Sequence, residues 1–145
     1  MRSRFYFAFS VCVVAAIAFV TGFSVGQEKP SSGRIYELRT YTTLPGRLPA
    51  LNKRFAEHTM RLFEKHGIHN ELYWTPTDED NKLIYFVSHA SREQAEQNWK
   101  DFGADPDWKK VAAESQTEDN GGKIVEKVDR VWMKLTDYSP QPAAK

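Results

Sequence analysis

Several stretches of this chain with strand character carry apolar side chains on both parities. Successive strand residues face opposite sides of a sheet, so apolar residues at both parities mean burial on both faces. Lys82–His89 sets Leu83, Tyr85 and Val87 against Ile84 and Phe86. Ile124–Leu135 sets Val131, Met133 and Leu135 against Val128 and Trp132, and Ile68–Thr75 sets Tyr73 against Leu72 and Trp74. A sheet built from these strands must be covered twice.

The rest of the pattern says what covers one side. Arg34–Thr42 is rich in β-branched and aromatic residues and reads as a first strand. After the Pro45-Gly46 turn, Leu48, Leu51, Phe55, His58 and Leu62 recur at three- and four-residue steps, which predicts a helix of about five turns. Gly67 is its expected C-cap. Ile68–Thr75 and Lys82–His89 then form a hairpin across the polar turn 76–81. Ser91 with Gln94 resembles a capping box, and Asp105-Pro106 marks a second helical start after a break near Gly103. The Gly121-Gly122 turn leads into the fourth strand, Ile124–Leu135. The order β-α-β-β-α-β predicts a ferredoxin-like α+β fold, a four-stranded antiparallel sheet with its helices on one face. The other face calls for a partner, and the simplest is a second copy of the chain.

The ends of the chain differ from its middle. Arg2 and Arg4 precede a run from Phe5 to Gly26 without a charge, the layout of a secretory signal with cleavage before Gln27. The rival reading is an uncleaved membrane anchor, since about 20 apolar residues span a bilayer. Residues 27–33 read as a linker, 34–136 as the domain and 137–145 as a tail. Loss of residues 1–26 leaves 18 basic against 19 acidic residues and removes Cys12, the only cysteine. A mature chain of that kind has neither a disulfide nor a thiol nucleophile. Its near-neutral charge gives no basic footprint for nucleic acid. The expected location is periplasmic or extracellular, with membrane contact only through an uncleaved N-terminal segment.

Tyr36-Glu37-Leu38-Arg39-Thr40-Tyr41, Pro45-Gly46 and Phe55-Ala56-Glu57-His58-Thr59 resemble the NIPSNAP family. Lys65-His66-Gly67-Ile68, Trp74-Thr75-Pro76, Leu83-Ile84-Tyr85, Asp105-Pro106-Asp107-Trp108, Ala113-Glu114-Ser115 and Thr136-Asp137-Tyr138-Ser139-Pro140 continue the likeness over nearly all of Arg34–Pro140. The resemblance implies a dimeric α+β barrel and brings no established catalytic motif. Animal members of the family it resembles are mitochondrial proteins tied to vesicle traffic and mitophagy, whereas the start of this chain predicts export.

Five residues form the candidate pocket: His58, Glu37, Arg39, Tyr85 and Trp108. His58 shares the apolar stripe of the first helix, so it is expected to point at the sheet. There it would be a core histidine satisfied by one hydrogen bond, or a general acid/base or axial haem ligand in a pocket. Glu37 and Arg39 share a face of the first strand, and buried charges need matching. They read as an ion pair fixing the dimer register, or as the polar wall of a ligand site. Trp74, Trp99, Trp108 and Trp132 are expected in the core and the dimer contact, or lining a cavity for an apolar or aromatic molecule. The histidines 58, 66, 69 and 89 lack metal-ligand spacing, and neither a metal nor a resident cofactor is expected. Two functions follow as expectations. One is a homodimeric binding or interaction protein with a small-molecule pocket. The other is a cofactor-free monooxygenase or a haem-handling enzyme, argued from fold alone.

Overall fold

The computed structural model describes residues 33–140. The signal segment, most of the linker and the end of the tail lie outside the described residues. The elements are β1 (Ile35–Thr43), α1 (Leu48–Arg54), a π-helical turn (Phe55–Thr59), α2 (Met60–Lys65), β2 (His69–Trp74), β3 (Lys82–His89), α3 (Arg92–Ala104), α4 (Pro106–Glu114) and β4 (Val125–Met133). Strand order is β2-β3-β1-β4 with every pair antiparallel, the split arrangement read from the sequence.

Local chemistry sets these boundaries. Gly67 ends α2 in the left-handed region at φ +69°, with the Asn98 amide packed where a Cβ would sit. The Asn98 side chain donates to the Gly67 carbonyl at 2.8 Å, which ties the helix end to α3. Ser91 Oγ accepts from the Gln94 amide at 3.1 Å and opens α3. Asp105 opens α4 by accepting the Asp107 and Trp108 amides on Oδ1. Its Oδ2 takes Lys65 at 2.8 Å and His66 at 2.6 Å, so one buried carboxylate joins the end of α2 to the start of α4.

Residues 48–65 form one continuous helix, interrupted by a feature that the three- and four-residue spacing does not predict. From Phe55 to Thr59 the turn is π-helical, and the Met60 amide reaches back to the Phe55 carbonyl. A π turn holds one extra residue, so each later side chain moves one position around the axis. Thr59 therefore takes the inward place that an unbroken α-helix gives to His58. Thr59 is buried, and its hydroxyl donates to the Arg54 carbonyl at 3.2 Å.

The helices cover one face of the sheet. Leu51, Phe55, Leu62 and Phe63 pack there with Ile68, Tyr85, Val87, Phe102 and Ile124. Phe63 meets Phe55, Trp99 and Phe102 edge-on, with centroids 4.9–5.9 Å apart, the geometry aromatic quadrupoles favour. On the opposite face one row crosses all four strands: Leu72, Phe86, Leu38 and Val131. Leu72 and Val131 are 58% and 53% exposed, and Trp74 beside them stands edge-on to Phe86. Among the described residues, only the helix side of the sheet is covered.

Candidate functional site

The sheet face beneath the helices carries charge at its centre. Glu37 is fully buried, because it pairs across β1 with Val87 on one side and Trp132 on the other. Its Oε1 accepts from Arg39 Nη1 at 2.8 Å and its Oε2 from Trp99 Nε1 at 2.7 Å. The Arg39 guanidinium lies 4.2 Å from the Trp99 ring centroid, a cation–π contact. His89, also buried, brings Nε2 to 3.5 Å from Glu37 Oε2, but neither ring nitrogen makes a hydrogen bond. Burial pushes the Glu37 carboxyl up, yet His89, Arg39 and Trp99 outweigh it and hold the group below its ordinary range.

Beside this cluster, between helices and sheet, lies a cavity of about 220 Å³. Tyr41, Phe55, Phe63, Phe102 and Trp108 form aromatic walls, and Arg54 is the charged group among them. Trp108 packs on Phe102 with centroids 4.5 Å apart. Arg54, 6% exposed, passes its guanidinium 5.3 Å from the Trp108 centroid, and Nη1 donates to Ser115 Oγ at 3.2 Å. Its Nε is buried without a hydrogen-bond partner. Burial presses this guanidinium below its ordinary pKa, outweighing the opposing influence of Tyr41 and Tyr85. Tyr85 is enclosed next to Tyr41, with its hydroxyl unpartnered, and burial pushes that phenol well up, so it is uncharged at neutral pH.

Of the five residues singled out in the sequence, Glu37, Arg39 and Tyr85 share the covered face, and Trp108 lines the adjoining cavity. Two expectations are corrected. Glu37 and Arg39 neutralise each other under α3, so they do not sit on the open face where a second sheet would pack. His58 does not point at the sheet: its side chain is 44% exposed, 3.8 Å from Glu57, in a groove lined by Lys53 and Val111. The π turn is the reason, since it carries His58 off the stripe. An axial haem ligand or a proton shuttle inside the aromatic cavity cannot come from that position. His58→Ala is accordingly expected to change unfolding free energy by less than about 0.5 kcal/mol, and to leave occupancy of the cavity unchanged in a fluorescence titration. Arg54, at the cavity wall, and Trp99, in the charged cluster, are the side chains of this region that the spacing did not single out. Neither stood on the apolar stripe read for the first helix, Leu48, Leu51, Phe55, His58 and Leu62. Among the described residues no three His, Cys, Asp or Glu side chains gather as a metal would require.

The family model for NIPSNAP matches residues 36–140. No curated protein sequence is significantly similar to the chain. Among solved structures, a NIPSNAP family protein of unknown function from Agrobacterium tumefaciens superposes with a TM-score of 0.64 at 20% identity, over 75% of this chain and 94% of that one. An uncharacterised NIPSNAP-like domain protein from Burkholderia xenovorans gives 0.63 at 14% identity, over 76% and 91%. SnoaB, a cofactor-independent oxygenase from Streptomyces nogalater, gives 0.53 at 12% identity, over 75% and 99%. At these identities the likeness is one of fold, the ferredoxin-like α+β arrangement with a four-stranded antiparallel sheet.

Proposed function

The chain belongs to the NIPSNAP family, and from that premise we propose that it is an exported homodimeric binding protein whose cavity holds a small apolar or aromatic molecule. The observation that carries the reading is the cavity itself, about 220 Å³ and walled by Tyr41, Phe55, Phe63, Phe102 and Trp108. Small-molecule sites are concave, mostly apolar and fixed by few polar groups, and this space is somewhat smaller than their usual range of about 300–1,000 Å³, which restricts it to a small molecule. Pairing through the open sheet face is supported by the row Leu72, Phe86, Leu38 and Val131. Export is supported by the basic start and the uncharged run that follows it.

A second reading is a cofactor-free oxygenase. It is supported by the fold shared with SnoaB and by the polar groups of Tyr41 and Arg54 at the cavity wall. Fold likeness alone is a weak warrant for chemistry, so the binding reading is preferred.

The test is purification from the native host compartment, followed by mass spectrometry of released small molecules and titration of tryptophan emission. An apolar or aromatic compound bound in about equal number to the chains, lost in Trp108→Ala, is the expected result. Oxygen uptake with that compound would move the protein to the second reading. A chain that carries nothing and whose emission no apolar or aromatic compound moves would sink the cavity-binding reading.

A further inference from the structure

Charge on the covered face does not balance. Glu37 and Arg39 form a matched pair at 2.8 Å. Arg54 has no such match: among the described residues no carboxylate oxygen lies within 4.0 Å of its guanidinium, although 6% of the residue is exposed. Its protein hydrogen bond runs to a neutral hydroxyl, Ser115 Oγ at 3.2 Å. Two carboxylates, Glu57 and Glu114, line a neighbouring groove that Arg54 also borders. They are 52% and 64% exposed and lie within ion-pair distance of His58 and Lys110. Water screens such groups, so they do little for a cation buried behind them. Tyr85 supplies no matching anion at neutral pH, because burial keeps its phenol uncharged.

An uncompensated buried guanidinium is costly, and proteins keep one where an anion completes it. Position supports the same conclusion. Arg54 is the last residue before the π turn, and Thr59, the last residue of that turn, holds the Arg54 carbonyl with its hydroxyl. Such turns recur at functional sites because they re-aim a side chain. Here the residue swung inward is Thr59, which lines the same cavity as Arg54 and the aromatic rings.

We propose that the cavity selects a small aromatic carboxylate, with the ring against Phe55 and Trp108 and the carboxylate on the Arg54 guanidinium. This rests on the cavity-binding reading and adds the charge of the ligand to it. The guanidinium presents parallel N–H donors that fit two carboxylate oxygens. The space suits one ring with a short acidic arm. Ser115 holds Nη1 from the opposite side and fixes the fork.

The test compares trans-cinnamate with cinnamamide, an uncharged molecule of nearly the same shape, on the dialysed full-length protein by calorimetry and tryptophan emission. Cinnamate is expected to bind at least about tenfold tighter. Arg54→Met should abolish that preference and leave cinnamamide affinity within about twofold, and Arg54→Lys, which keeps the charge without the fork, should fall between. If Arg54→Met does not fold, the two probes on the wild-type chain decide the matter by themselves. Equal or tighter binding of cinnamamide overturns the anion assignment and leaves the cavity-binding reading intact. Failure of both probes, with no other ring compound bound, removes that reading and the assignment together.

Discussion

Glu37→Ala is expected to lower the unfolding free energy by about 3–5 kcal/mol, the usual cost of removing one partner from a buried ion pair. The loss is large because three groups depend on that carboxylate. Arg39 would keep its charge at 14% side-chain exposure with nothing opposite it. Trp99 would lose the acceptor for its indole N–H, and His89 would lose the anion 3.5 Å from its ring. Glu37→Gln should cost less, since an amide oxygen still accepts from Trp99. Urea melts of the three proteins check this, and a Glu37→Ala chain within about 1 kcal/mol of wild type would contradict it. Acid supplies an independent reading. The folded Glu37 carboxyl lies below its ordinary 4.5, so its contribution is complete above that pH and is lost as pH falls through the lower folded value. Asp105 behaves alike, held far below its ordinary 3.8 by Lys65 and His66. Wild type should therefore lose stability steadily below about pH 4.5, and Glu37→Ala should show a shallower loss.

Val131→Asp is expected to turn a dimer into a monomer. Val131 ends the apolar row Leu72–Phe86–Leu38–Val131 and is 53% exposed in the single chain, so the substitution leaves the subunit's own core untouched. In a sheet-to-sheet pair related by a two-fold axis, the change enters the interface twice and places two unmatched carboxylates in an apolar contact. Dissociation should strengthen by about a hundredfold or more. Sedimentation at micromolar concentration reads this directly, with far-UV circular dichroism unchanged. Lys100→Asp, on the exposed side of α3, is the control and should remain dimeric. A wild-type chain that sediments as a monomer would remove the pairing proposal.

Most of the fold was legible because each boundary has a local cause. Gly67 needs a left-handed backbone, Ser91 needs the Gln94 amide, and Asp105-Pro106 starts a helix on its own terms; each acts within three residues. The strands were legible from parity, and parity also said that the helices would cover one face only. The candidate site was legible in part. Glu37 and Arg39 stood out as charges in an apolar strand, and Tyr85 and Trp108 as large rings. What the sequence did not carry was the π turn. Phe55–Thr59 contains no proline or glycine to mark it, and the spacing Leu51, Phe55, His58, Leu62 fits an unbroken α-helix well. The turn goes with a contact distant in sequence, Arg54 to Ser115, and with the burial of Thr59 beneath the helix. One residue of slip therefore exchanged the roles of His58 and Thr59.

Asp105 has a consequence for motion as well as for architecture. One oxygen holds the last turn of α2 through Lys65 and His66, and the other holds the first amides of α4. Neither end can fray without releasing the other, so the two helices breathe as one cooperative unit. That unit carries Trp108 on one arm and continues back through the π turn to Arg54 on the other. Opening of the cavity is then expected to involve α2 and α4 together, on a slower timescale than the motion of any single side chain.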